Sequence, residues 1–294
     1  METLENKKIL VTGGAGFIGR NIVEQLSPKY AIFAPSYEEL DLLDELSVEH
    51  FFKNWHFDAI IHAAHIGIYK AEEELNGIAN KNILMFFNIV RHLTPLQKMI
   101  FLGSGAEYDK RRDITLATED EFDKYIPKDS YGFAKYVCSK YIEKTNNIIN
   151  LRCFGIYGKY ELPTRFISSA IISALNQSPI VIRQNVWFDY LYIDDLIAII
   201  DYFLSHKSRH ASYNVASGNR VDLVALANIV KKVTGHDRQI IIEKSGLSKE
   251  YTANTDRLKQ EFTRPLTPLE EGIIMLVDYY KNSLTENKYY GKYA

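Results

Sequence analysis

Cysteine is nearly absent from this chain. Its 294 residues include only Cys138 and Cys153, too few for a disulfide scaffold or a cysteine-rich metal site, so buried free thiols are expected. No apolar run reaches the ~20 residues that cross a bilayer, and the start Met1-Glu2-Thr3-Leu4-Glu5-Asn6-Lys7 has no signal-peptide core. These absences predict a cytoplasmic protein with no membrane partner. Basic runs and RNA-binding signatures are missing as well, and a net charge of −2 disfavours nucleic acid while leaving room for a local pocket that takes a small phosphate. The eight histidines show no metal-ligand spacing, so no metal is predicted; His62 and His65, flanking Ala63-Ala64, are placed beside a cleft instead. Low-complexity segments and internal repeats are also lacking.

What is present begins at Lys8-Ile9-Leu10-Val11, a short apolar run suited to a buried parallel strand, with Thr12-Gly13-Gly14-Ala15-Gly16-Phe17-Ile18-Gly19 directly after it. Ile18, Ile22, Val23 and Leu26 then recur at helical spacing. The glycines therefore sit at a strand-to-helix turn, where backbone amides and the helix N-terminus can receive a pyrophosphate. Gly13 makes the tight turn, Gly16 admits the phosphates and Gly19 lets the helix pack on the strand.

Further strand-like runs at Tyr30–Phe33, Ala59–His62, Met99–Leu102 and Ile149–Arg152 alternate with helical patterns at Arg20–Leu26, Ser47–Asn54, Asn76–Arg91 and Tyr131–Lys144. This alternation predicts an α/β fold, a doubly wound parallel sheet of the Rossmann type. After Gly158 the rhythm changes to helices over Phe166–Asn176, Val224–Val233 and Leu269–Asn282 and a strand over Ile240–Glu243. The division expected is a dinucleotide-binding domain over 1–158, to which 186–215 returns, and a smaller mixed α/β substrate-binding lobe formed by 159–185 and 216–294. A frayed or docked terminus is the reading for the tail after Asn282.

Tyr131 and Lys135 fall one helical turn apart on one face. A fixed positive charge near a phenol favours the phenolate, so Lys135 is expected to bring Tyr131 down toward neutral-pH proton transfer. In a doubly wound sheet, ligands sit beyond the carboxyl ends of the strands, which is where Ala63-Ala64, Gly103-Ser104 and Arg152–Gly155 should lie. Ser104 is then the third partner, its hydroxyl and that of Tyr131 sharing the oxygen of a carbonyl or alcohol.

With those residues in place, the chain resembles the extended short-chain dehydrogenase/reductases, the family of nucleotide-sugar epimerases, dehydratases and 4-ketoreductases. The likeness runs from Lys8 to about Leu276. It is carried by the glycine turn, Asp41-Leu42-Leu43-Asp44, Asp58-Ala59-Ile60-Ile61-His62-Ala63-Ala64, Asn82 with Asn88, Gly103-Ser104 and Tyr131-x-x-x-Lys135. Leu151-Arg152-x-x-x-x-Tyr157-Gly158 and Tyr190-Leu191-Tyr192-Ile193-Asp194-Asp195 extend it. The resemblance implies hydride transfer to or from nicotinamide C4, with Tyr131 as acid/base, Lys135 on the nicotinamide ribose and Ser104 polarising the substrate oxygen. It further implies a cofactor bed of Gly13, Gly16, Phe17, Ile18, Gly19, Arg20, Ser36, Asp41, Leu42, Ala63, Ala64, Asn82 and Phe154, and a substrate face of His65, Gly105, Ala106, Gly155, Lys159, Arg165, Arg183, Phe188 and Arg220. Relatives commonly dimerise through the helix after Asn76 and the helix carrying Tyr131, so a homodimer using Ile83, Phe86 and Phe87 is expected.

Glu39-Leu40-Asp41-Leu42-Leu43-Asp44 and Phe101-Leu102-Gly103-Ser104 are most similar to the GDP-fucose synthases. Those enzymes carry a cysteine and a histidine for epimerisation where this chain has Ala106 and Arg165; the 4,6-dehydratases place Asp-Glu where it has Gly105-Ala106, with Glu107 one position too far along. What remains is reduction of the 4-keto group of a nucleotide-activated deoxysugar for polysaccharide synthesis. A 4-epimerase with tightly bound NAD is the alternative, and a cofactor-sensing regulator the alternative from another class. The arginine that often holds the substrate diphosphate is replaced by Phe188, leaving Lys159, Arg165, Arg183 and Arg220 as substitutes. At the end of the second strand Ala34-Pro35-Ser36-Tyr37 offers no acid before Glu38, which favours NADP, with Ser36 and Arg20 on its extra phosphate, over NAD.

Overall fold

The computed structural model describes residues 7–67 and 77–285, with side chains up to Asn282. The opening residues 1–6, the expected helix start at Asn76 and the tail beyond 285 lie outside the described residues. The chain runs β1 (Lys8–Thr12), α1 (Phe17–Leu26), β2 (Ala31–Phe33), α2 (Glu45–Asn54), β3 (Ala59–His62), α3 (Ile78–Val90) and β4 (Lys98–Ser104). Next come β5 (Ile114–Ala117), α4 (Ser130–Ile142), β6 (Ile148–Cys153), β7 (Gly155–Tyr157), α5 (Phe166–Leu175), β8 (Ile180–Asn185), β9 (Trp187–Tyr192), α6 (Ile193–Ser205) and β10 (Ser212–Val215). β11 (Arg220–Asp222), α7 (Leu223–Thr234), β12 (Ile240–Leu247), β13 (Tyr251–Ala253), α8 (Asp256–Lys259) and α9 (Leu269–Thr285) follow.

Six parallel strands form the main sheet in the order β10-β6-β4-β3-β1-β2. Their apolar runs are covered on both faces, and the two-residue period of a strand sorts them between two cores. Ile9, Val11, Ile61, Ile100, Leu102, Ile149 and Leu151 pack with α1 and α6. Their neighbours Leu10, Ile60, Met99, Phe101 and Ile148 pack with Val48 of α2, Phe86 of α3 and Ile142 of α4 on the other side. The chain leaves β1 for β2 on one flank and returns to β3 on the other. Strand order thus reverses between β1 and β3, and a crevice opens beyond their carboxyl ends.

A second sheet, β11-β9-β13-β5 with β7 on β9, and a two-stranded pair of β12 and β8 form the smaller part with α5, α7 and α9. The stretch expected to return to the dinucleotide-binding part divides here: β10 joins the main sheet beside β6, whereas β9 pairs with β7, β11 and β13. In the opposite sense, β5 lies early in the chain yet pairs with β13. β12 runs to Leu247 rather than Glu243 because its parallel ladder continues along β8 to Asn185. Phe86 is a correction to the expected dimer surface: it is fully buried within the chain, edge-on to Phe101, and cannot be offered to a partner. No described helix is long and apolar enough to cross a membrane.

Candidate active site

At the reversal point Gly13 takes φ 71°, and a Cβ there would lie 2.7 Å from the Ala64 backbone. Only glycine lets the β1 turn approach the segment after β3 so closely. A Cβ on Gly19 would meet the Gly13 carbonyl oxygen at 2.0 Å, so the helix packs directly on the turn. Asp44, Asp129 and Asp222 cap α2, α4 and α7, but α1 starts at Gly16 with no side-chain cap and no acid in its first turn. Its first amides and its dipole are left for an anion, and the residues present fit a dinucleotide pyrophosphate. Thr12 Oγ1 lies 2.7 Å from His62 Nδ1 and accepts the Ala64 N–H, tying the two sides of the crevice together. Burial, with the nearby Lys135 charge, pushes the His62 imidazole down to about 3, so it is neutral. Phe17, Ile18 and Ala63 are partly buried against the core at the crevice floor.

Several residues expected to bed the cofactor also hold the crevice walls. Asn82 accepts the Ile66 N–H and donates to the Ile66 and Ile78 carbonyls, which uses its amide to position the loop carrying Ala64 and His65. Asp41 accepts the Leu43 N–H and the Tyr37 hydroxyl, while Leu42 is core and its carbonyl accepts from Asn88. Phe154 packs against Tyr251, ring centroids 4.9 Å apart. Arg20 lies over the Tyr160 ring at 3.8 Å. The Ser36 N–H donates to Glu39 at 2.7 Å, and the Glu38 carboxyl beside it has its pKa lowered, first by its own backbone N–H and then by the Ser36 side chain. Two carboxylates, absent from the strand end itself, are therefore folded back onto Ser36.

Helix α4 presents Tyr131 and Lys135 on one face, its first turn fixed by Asp129 accepting the Gly132 N–H. Lys135 is buried, donates to the Leu102 carbonyl at 2.6 Å and lies 4.5 Å from the centre of the Phe101 ring. Its Nζ is 5.9 Å from the Tyr131 ring centre. Lys135 is not among the groups that shift Tyr131: packing of the ring pushes its phenol up to about 12, with the Ser104 side chain pulling the other way. Burial lowers the Lys135 pKa. Tyr131 therefore stays protonated, a proton donor, at neutral pH. Lys110, unmarked by any sequence pattern, places Nζ 5.7 Å from the same ring centre and 3.6 Å from Asp129, and the His65 ring stands edge-on to Tyr131 at 5.9 Å.

Ser104 ends β4 and caps the short 3₁₀ turn that follows. Its N–H donates to Glu107 Oε1 at 2.9 Å and its Oγ accepts the Ala106 N–H at 3.2 Å. Glu107 turns inward, where Arg152, Ser139 and Asn150 all donate to it. Ala106 is covered, its carbonyl packed beneath Gly132, so it does not face a substrate. A Cβ on Gly105 would strike the Phe154 ring at 2.6 Å and the Tyr251 hydroxyl at 2.7 Å. Tyr251 itself, missed in the sequence, brings Oη to 3.3 Å from Ser104 Oγ.

Beyond Tyr251 the wall continues through Phe188 and Tyr190, ring centroids 5.5 Å apart, with Gly155 beneath Tyr190. Arg165, at the start of α5, exerts its charge on Tyr131 and lies 3.7 Å from Glu161. Glu161 is buried, accepts from Ser168, and is pushed up to about 7 by that burial. Of the other expected cations, two are paired with carboxylates and one is exposed. Lys159 pairs with Glu24 of α1 at 2.9 Å, Arg220 with Glu250 at 3.3 Å, and Arg183 is exposed on β8.

Residues 9–216 match the family described as the NAD dependent epimerase/dehydratase family. A putative UDP-glucose 4-epimerase of Methanocaldococcus jannaschii is 28% identical over 312 residues, spanning 94% of this chain and 99% of that protein. The GDP-L-fucose synthase of Sinorhizobium fredii is 25% identical over 313 residues, spanning 98% and 99%. Among solved structures, the UDP-glucose 4-epimerase of Thermotoga maritima with UDP-glucose superposes with a TM-score of 0.81 at 22% identity, covering 94% of this chain and 99% of that one.

Proposed function

The chain belongs to the NAD dependent epimerase/dehydratase family and is an NAD(P)-dependent enzyme of the extended short-chain dehydrogenase/reductase type; on that premise we propose that it reduces the 4-keto group of a nucleotide-activated deoxysugar. A bound nicotinamide supplies the hydride to C4. The protein supplies the rest. As the carbonyl carbon accepts the hydride, Tyr131 gives its phenolic proton to the carbonyl oxygen and Ser104 hydrogen-bonds that oxygen, so ketone becomes secondary alcohol with charge balanced. Lys135, kept in place by the Leu102 carbonyl, would hold the nicotinamide ribose, and the uncapped start of α1 would take the pyrophosphate.

The observation that carries the reading is geometric: Ser104 at the end of β4 acts on the phenol of Tyr131, which α4 presents on the same face as Lys135, and by the family resemblance the positions of a second acid/base pair are held by Ala106 and Arg165. Ala106 is covered, and Glu107 is committed to Arg152. The match to a GDP-L-fucose synthase over nearly all of both chains supports a nucleotide-activated sugar. Consumption of NADH or NADPH with a panel of GDP-, dTDP-, UDP- and CDP-4-keto-6-deoxysugars tests it, and turnover of none of them would sink it.

A second reading, 4-epimerisation with retained NAD, is favoured by the carboxylates of Glu38 and Glu39 at Ser36, which oppose the 2′-phosphate of NADP. On this reading NAD(H) is the cofactor, whereas the 4-keto reduction reading leaves NADP(H) and NAD(H) both open. Protein purified with NAD bound, interconverting sugars with no added cofactor, would decide for epimerisation.

A further inference from the structure

Tyr251 belongs to the second sheet, on a strand that pairs with β9 at Phe188 and with β5 at Ile114, yet its hydroxyl reaches the reaction centre of the first. Its ring is wedged between Phe154, centroids 4.9 Å apart, and Phe188, centroids 5.4 Å apart. Gly105 makes this possible, since any side chain there would meet the Tyr251 hydroxyl and the Phe154 ring. Among the described residues, Ser104 Oγ at 3.3 Å is the only hydrogen-bond partner of the Tyr251 hydroxyl. Burial raises the Tyr251 pKa, so it keeps its proton.

A serine hydroxyl has one hydrogen to give and two lone pairs to receive. The Ala106 N–H occupies one lone pair at 3.2 Å. The Tyr251 hydroxyl, having no other acceptor among the described residues, donates into the second. Ser104 can then direct its single hydrogen only toward Tyr131 and the place where a carbonyl oxygen would lie, and a hydroxyl that accepts two hydrogen bonds is a better donor of its own. We infer that Tyr251 is a positioning residue that fixes the Ser104 hydroxyl as a donor to the substrate carbonyl oxygen, and that the reaction centre is complete only when β13 is seated against β9 and β5. This inference rests on the carbonyl-reduction reading above.

Tyr251→Phe keeps the wedge between Phe154 and Phe188 and removes only the hydroxyl. With the sugar that the wild-type protein turns over, kcat is expected to fall about tenfold, the worth of one well-placed hydrogen bond, with KM moving less than about twofold. In a Ser104→Ala background the same substitution should cost nothing further, because its effect passes through Ser104. An equal loss in both backgrounds, or none in either, overturns the inference. A second readout needs no turnover: crystal structures of wild type and Tyr251→Phe with nicotinamide cofactor added. One Ser104 rotamer in wild type and several in the variant are expected. A single unchanged rotamer in both overturns the role of Tyr251. Failure of the whole sugar panel with wild type overturns the reaction assignment alone, leaving the crystallographic comparison to judge Tyr251.

Discussion

Glu107 Oε1 accepts the backbone N–H of Ser104 at 2.9 Å while its other oxygen lies 2.6 Å from Arg152 Nε. Both charged side chains are fully buried. One carboxylate thus ties the end of β4, where the reaction centre lies, to β6 beside it. An acid one position beyond a dehydratase's pattern is here the anchor of the serine. Removing one partner strands a buried charge, which costs far more than the pair contributes.

Glu107→Ala is therefore expected to destabilise the fold by about 3–5 kcal/mol, and Arg152→Met alone by a similar amount. The double substitution should be less costly than the sum of the two. Urea unfolding of the three variants measures this, and full additivity would contradict the coupling.

His62 carries the clearest pH dependence. Its folded pKa, about 3, lies below the ordinary value of 6.5, so between those values the unfolded chain binds a proton that the folded chain does not. The neutral, buried ring contributes stability that is present above about pH 6.5 and is lost as pH falls toward 3, at about 1.4 kcal/mol per pH unit inside that window. Thermal or urea unfolding from pH 7 to 4, compared with His62→Gln, should show a shallower decline in the variant.

Cofactor choice turns on the carboxylates at Ser36. The paired substitution Glu38→Gln with Glu39→Gln removes two charges that oppose a 2′-phosphate, and it should shift preference toward NADPH over NADH by roughly threefold to tenfold. The shift should shrink as salt is raised. Steady-state KM values for both cofactors, or their dissociation constants from fluorescence quenching, read it directly.

Much of this site was legible in the linear chain because its signals are local. The glycine turn needs only Gly13 through Gly19, and Tyr131 with Lys135 only one helical turn. Ser104 needs the end of one apolar strand. Residues whose roles depend on distant partners were hidden. Tyr251 sits in a strand of three residues, too short for a periodic pattern, and reaches Ser104 only because β13 pairs with β9 and β5. Lys159 read as a free cation because its partner, Glu24, lies on α1. Glu38 and Glu39 follow the strand in sequence, and only the turn back onto Ser36 makes them part of the cofactor question. Phe86 shows a different limit, since an apolar helix face looks the same whether it covers its own sheet or a second copy.

Tyr131 and Ser104 are assigned to the reduction of a sugar ketone by a nicotinamide hydride, Tyr131 as proton donor and Ser104 as hydrogen-bond donor. The most direct test of that assignment follows reduced-cofactor absorbance with 4-keto-6-deoxysugars on GDP, dTDP, UDP and CDP, using wild type beside Tyr131→Phe. Turnover of at least one sugar by wild type is predicted, lowered by about 100-fold to 10,000-fold in Tyr131→Phe with cofactor affinity unchanged. No consumption with any sugar, or equal consumption by both proteins, would contradict it.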